Sequence, residues 1–92
     1  MKNLKATNRF DKELFKMFKR GVNICDPEDY KTARNMLLAG EKIPESYRDH
    51  KLHGEFKGYR SLHINPDWVL VYKTDEENVY MQRTGTHSDI YK

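Results

Sequence analysis

An α+β fold, a small antiparallel β-sheet packed against two N-terminal helices in the order β-α-α-β-β-β, is predicted by three features of the sequence. Apolar residues recur at helical spacing between residues 8 and 40. After residue 58 the period changes to short alternating or β-branched runs. Clusters of Asn, Pro, Asp and Glu separate those runs. With 92 residues, no repeat and no low-complexity linker, the chain reads as one domain over 1–92.

Residues 2–6 are short and fit an edge strand. From Asn8 to Arg20, Phe10, Leu14, Met17 and Phe18 share one helical face while Lys12, Lys16, Lys19 and Arg20 take the other. Gly21 suits the left-handed position just past a helix end. Asp26-Pro27-Glu28-Asp29 opens a second helix, with Asp26 as N-cap, Pro27 in the first turn and acids near the positive dipole end. Tyr30, Ala33, Met36 and Leu37 form its apolar stripe, and Gly40 stops it. Residues 41–55 read as a polar loop. Strands follow over Tyr59–Ile64 and Trp68–Tyr72, joined by the turn Asn65-Pro66-Asp67. An acidic turn, Asp75-Glu76-Glu77-Asn78, leads to a third strand over Val79–Thr84, ended by Gly85. Thr86 and Asp89 are spaced to cap one last helical turn.

Composition narrows the class. Hydrophobic residues are 37% and charged residues 34%, yet six Tyr, four Phe and one Trp provide the aromatic bulk of a folded core. No apolar run approaches the roughly 18 residues of a membrane span, and no signal peptide follows Met1, so a cytoplasmic protein without a membrane partner is expected. The lone Cys25 leaves no internal disulfide and suits a reducing compartment. The net charge of +3 is unevenly spread: residues 1–20 hold seven Lys/Arg against two acids. A basic segment of this kind fits a polyanionic partner, although charge alone is equally explained by a solvated helix face.

The tract from His50 to Tyr91 carries the chemistry. Cleaving RNA without a metal needs a group to take the ribose 2′-OH proton, a group to protonate the leaving 5′-oxygen, and cations for the crowded phosphate. Histidine titrates near neutrality, so it serves either proton step. His63 and Trp68 flank the Asn65–Asp67 turn and should meet across a hairpin, with Asp67 close to both. His87 returns to the same sheet if the third strand pairs with its predecessor. His50 comes from the preceding loop, and spacing does not fix where it lands. A zinc site is not expected: His50 and His53 are three apart and Cys25 is available, but the paired ligands that close both ends of a zinc loop are missing.

The residues D-H-x-L-x-G-x-x-K-G-Y-R-x-x-H-x-x-P-D-W-x-L-x-Y-K, followed by R-T-G-T-H, resemble the YafQ branch of the RelE/ParE toxin superfamily over positions 49–91. The resemblance implies a RelE-like fold. It also implies a toxin of a type II toxin–antitoxin pair that acts as a ribosome-dependent mRNA endoribonuclease, leaving a 2′,3′-cyclic phosphate and a 5′-hydroxyl. No cofactor is implied. The implied partners are a cognate antitoxin, the 70S ribosome with its mRNA, and operator DNA through the antitoxin complex. By motif position, His50, His63, Asp67 and His87 correspond to the catalytic set, with His87 as general acid and Asp67 or His50 as base. Arg83 is the candidate for phosphate stabilisation, with Lys57 and Arg60 as further RNA-binding cations, and Trp68 and Tyr91 as surfaces for bases. Two departures stand out: Tyr91 replaces a frequent Phe, and His53 has no counterpart in the family pattern. The alternative readings are a non-enzymatic ParE-like inhibitor of DNA gyrase and an antitoxin-dependent DNA-binding corepressor, since a shared fold does not fix function.

Overall fold

The computed structural model describes residues 1–91. Its elements run β1 (Asn3–Ala6), α1 (Asn8–Phe18), α2 (Pro27–Leu38), β2 (His50–Lys51), β3 (Arg60–Asn65), β4 (Trp68–Thr74), β5 (Asn78–Gly85) and α3 (His87–Ile90). Single 3₁₀ turns at Glu45–Tyr47 and Gly54–Phe56 punctuate the long loop.

Both long helices start at side-chain caps, of which Asp26 is the one expected from the sequence. Thr7 Oγ1 accepts from the Phe10 amide at 2.9 Å, and Asp26 Oδ1 accepts from the Glu28 amide at 2.9 Å. α1 stops at Phe18, two residues before the expected end, and Gly21 turns the chain at φ +93°.

The α+β class holds, but the sheet is mixed rather than antiparallel. Its order is β1-β5-β4-β3-β2, and β1 runs parallel to β5, with Asn3 opposite Asn78 and Ala6 opposite Met81. The remaining pairs are antiparallel. Periodicity sees each strand separately, so it does not reveal that the first strand adds itself beside the last. β2 is only two residues long and lies at the opposite edge, with His50 opposite Ser61.

Each face of the sheet has its own apolar cluster. On one, Phe10, Met17, Tyr30, Ala33 and Leu37 of the helices pack on Leu62, Trp68, Leu70, Tyr72, Val79 and Met81. On the other, Leu52, Val69, Val71 and Ile90 are covered by Phe56, Tyr59 and Tyr91. Strict alternation would put Met81 and Thr84 on opposite faces. The register shifts by one residue at Gln82, since Val71 pairs with Arg83 and Tyr72 with Met81. This bulge keeps Met81 and Thr84 both on the helix side and turns Arg83 to the other. A second shift lies at Ile64 on β3, since His63 pairs with Val69 and Asn65 with Trp68.

Candidate active site

The face away from α1 and α2 gathers three of the histidines. His63 sits in the middle of β3, half-buried, opposite Val69. Burial first, then the positive charges of Arg48, His87 and His50, hold its pKa below the ordinary value of 6.5. A neutral imidazole at pH 7 follows. Its Nδ1 is buried with no hydrogen-bond partner among the described residues.

His87 opens α3, whose four residues would be marginal alone. A reciprocal cap holds them: Thr86 Oγ1 accepts from the Asp89 amide at 3.2 Å, and Asp89 Oδ2 accepts from the Thr86 amide at 3.0 Å. The Thr86 bonds keep the Asp89 carboxyl below the usual carboxylate range. The exposed His87 ring lies nearly parallel to His63, with centroids 6.3 Å apart and planes at 23°. Tyr91 also lies against the His87 ring, with centroids 4.7 Å apart. The Tyr91 hydroxyl is buried and, among the described residues, unpartnered. A cleft of about 400 Å³ lined by Arg9, Phe56, Arg83, Ile90 and Tyr91 adjoins this pair.

His50 lands on this face as well, a point that loop spacing leaves open. Its Nδ1 is 2.7 Å from the Arg48 carbonyl oxygen. A carbonyl oxygen only accepts, so Nδ1 carries the proton and Nε2 of the neutral ring is the acceptor. The hydroxyl of the fully buried Ser61 donates to Nε2 in a long hydrogen bond of 3.4 Å. Arg48 itself has φ +51°, the one non-glycine residue with positive φ among the described residues.

Arg83 projects to this face beside Val71, and Glu13 of α1 holds it there across the edge of β5. Asp67 stands apart. It is exposed at the tip of the β3–β4 hairpin, its amide donates to Asn65 Oδ1, and its charge is felt by Cys25 rather than by His63.

Trp68 corrects the expectation most sharply. It is fully buried in the helix-side cluster, edge-on to Phe18 and stacked on Tyr30, and its Nε1–H donates to Thr84 Oγ1 at 2.8 Å. Val69, not Trp68, is the cross-strand partner of His63, so alternation along β4 sets Trp68 on the opposite face of the sheet and no base reaches it. Arg60 is likewise committed elsewhere: it lies beside Tyr72 on the helix side and donates to Asp49 Oδ1 at 3.2 Å. Lys57 follows a 3₁₀ turn on the surface, at a cleft shared with Lys51, Tyr59 and Lys73. The residues that sequence reasoning overlooks are Glu13, Arg48, Asp49, Ser61 and Tyr72. Asp49 and Tyr72 carried a signal, since both are written out in the motif, whereas Glu13, Arg48 and Ser61 carried none.

Three imidazoles with distinct environments and a guanidinium on one face are equipped for proton transfer at a phosphate ester. Comparison with known proteins points the same way. The family model for YafQ, a bacterial toxin of type II toxin–antitoxin systems, matches residues 2–92. The mRNA interferase toxin YafQ of Escherichia coli K12 is 45% identical over 49 residues, 53% of each chain, so that alignment spans about half the length of its relative. A toxin YafQ relative of Haemophilus influenzae is 42% identical over 86 residues, covering 89% of this chain and 84% of the other. The YafQ chain in the E. coli DinJ–YafQ complex superimposes with a TM-score of 0.88 at 30% identity, with both chains fully covered. The chain belongs to the YafQ family of bacterial type II toxins.

Proposed function

We propose that this protein is an mRNA interferase: an endoribonuclease toxin that cuts translated mRNA on the ribosome by metal-free acid–base catalysis. The observation that carries the reading is the tautomer of His50, which leaves Nε2, with only a long bond from Ser61 Oγ among the described residues, as the proton acceptor on the face that also presents His87. In the first step His50 Nε2 takes the proton from the ribose 2′-OH, and the oxygen attacks the adjacent phosphorus. The bond to the 5′-oxygen breaks as His87 donates a proton to it, giving a 2′,3′-cyclic phosphate and a 5′-hydroxyl. His63, neutral and between these groups in charge influence, contacts the phosphate rather than serving as the acid. Arg83 supplies positive charge to the phosphorane. Asp67, exposed and away from His63, is the weaker candidate for the base.

The basic residues of α1 and β1, including Lys5, Arg9, Lys12, Lys16 and Lys19, are exposed and suited to ribosomal RNA. A partner antitoxin is proposed from the relative crystallised as a DinJ–YafQ complex, with operator DNA reached through that complex. Among the described residues no helix is long and apolar enough to cross a membrane, in keeping with action where ribosomes are.

Cleavage of a defined mRNA, with and without programmed 70S ribosomes, tests the reading. Wild type should cut only on ribosomes, and His87→Ala should lose about 10²–10⁴ in rate, the usual worth of a placed acid. No cleavage by folded protein in either setting would turn the reading to gyrase inhibition or corepression.

A further inference from the structure

His50 is held by a strand of two residues at the edge of the sheet, which is little to fix a group that must meet a proton within a few tenths of an ångström. The anchor lies one residue earlier and on the other face. Asp49 points to the helix side, where Tyr72 Oη donates to its Oδ1 at 2.6 Å and Arg60 Nε donates to the same oxygen at 3.2 Å. Tyr72 is buried at 2% exposure in β4, and Arg60 belongs to β3, so one carboxylate ties the incoming chain to both inner strands. Side chains alternate along a strand, so pinning Asp49 on one face sets the direction of His50 on the other.

The anchor also bears on the backbone. Arg48 sits in the left-handed region, which a side chain with a Cβ occupies only when its surroundings require it. That conformation brings the Arg48 carbonyl to His50 Nδ1. With Asp49 released, Arg48 is free to relax and its carbonyl to swing away, leaving the imidazole to exchange tautomers. Burial and the hydrogen bond to Asp49 keep the Tyr72 phenol far above its ordinary pKa, so it remains a donor throughout the working pH range.

We propose that Tyr72 and Asp49 are positioning residues for the cleavage reaction: through the carboxylate bridge they hold Arg48 left-handed and thereby keep His50 in the tautomer whose Nε2 accepts a proton. The inference rests on the reading of His50 as the general base, and its test separates the two.

Two readouts are compared in wild type, Tyr72→Phe, Asp49→Ala and Asp49→Asn. The first is the long-range ¹H–¹⁵N spectrum of the imidazoles at about pH 8, above the ordinary histidine range. The second is single-turnover cleavage on programmed ribosomes. Wild type should show His50 as the Nδ1–H form. Tyr72→Phe and Asp49→Ala should move it to the mixture of a free imidazole and lower kcat by about 10- to 100-fold, with KM for the ribosome little changed. Asp49→Asn, which still accepts from Tyr72, should keep most of both signals. A His50 spectrum unmoved in Tyr72→Phe overturns the positioning role, whatever happens to cleavage. A spectrum that moves while kcat stays at the wild-type value upholds the positioning of the ring and overturns His50 as the base.

Discussion

Glu13 of α1 grips Arg83 of β5 with three hydrogen bonds, from Nε to both carboxylate oxygens at 3.0 Å and from one terminal nitrogen at 2.8 Å. Both side chains are largely shielded, at 11% and 19% exposure, and Glu13 also accepts from the Thr84 amide at 3.3 Å. The proposed phosphate cation is thus aimed by a helix on the other layer of the fold. Glu13→Ala should cost about 1–3 kcal/mol of stability by stranding a shielded guanidinium. It should also lower kcat, because Arg83 then lacks a fixed direction. Glu13→Gln, which keeps an acceptor, should recover part of each. Denaturant titration together with ribosome cleavage checks this, and an undiminished kcat in Glu13→Ala would mean that Arg83 acts without guidance.

His63 makes stability sensitive to acid. Its folded pKa lies below the ordinary 6.5, so in the window beneath 6.5 the unfolded chain binds the proton more tightly than the folded one. Stability contributed by the neutral ring is therefore present above that window and lost as pH falls through it to the folded pKa. The melting temperature should drop on going from about pH 7 to about pH 5, and less so in His63→Gln, which cannot titrate. Parallel melting curves of the two proteins would show the difference. Equal drops would place the acid sensitivity elsewhere.

Gly85 is required by the approach of α3. A Cβ there would come within 3.0 Å of Asp89 Cβ and 3.1 Å of its Oδ2, the atom that caps Thr86. Gly85→Ala should push α3 outward and take His87 away from His63. The cost in stability should be about 1–3 kcal/mol, typical of overpacking. Cleavage should fall disproportionately, since the core on the helix side is untouched. The His63–His87 separation in a crystal structure of the variant would report the displacement directly.

Trp68 distinguishes a core residue from a base-stacking one. Trp68→Ala should cost about 3–5 kcal/mol, as for other large-to-small changes in a core. Trp68→Phe should cost less, retaining the contacts with Phe18 and Tyr30 but leaving Thr84 Oγ1 without its donor. Folded Trp68→Phe should bind ribosomes as wild type does. A loss of affinity without a loss of stability would instead indicate contact with RNA.

Local chemistry was legible where it acts locally. The spacing of Phe10, Leu14 and Met17, the Asp26-Pro27 start and the Asn65–Asp67 turn each declare an element through bonds between near neighbours. Bulges are silent in this sense. The extra residue at Gln82 changes which face follows, whereas Trp68 lies away from His63 for a plainer reason: the turn brings the two close along the chain, but successive residues of β4 alternate, so Val69 and not Trp68 shares the His63 face. Pairings over long separations are silent too. Nothing near Glu13 names Arg83, and nothing near Asp49 names Tyr72, because an ion pair or a hydrogen bond leaves no periodic trace in the chain. The motif located His50, His63 and His87; only the folded structure reveals which nitrogen of His50 is left as the acceptor.

The parallel pairing of β1 with β5 has a bearing on how the chain is made. Asn3 cannot find its neighbour until Asn78 exists, and His87 is added later still. Contacts this distant in sequence form late and slowly compared with helices and hairpins. A nascent chain can assemble α1, α2 and the β3–β4 hairpin while it is being synthesised, but it has neither a closed sheet nor the proposed acid. On the proposed function, the ribosome building this protein is thereby spared that chemistry until nearly all of the described chain has been translated.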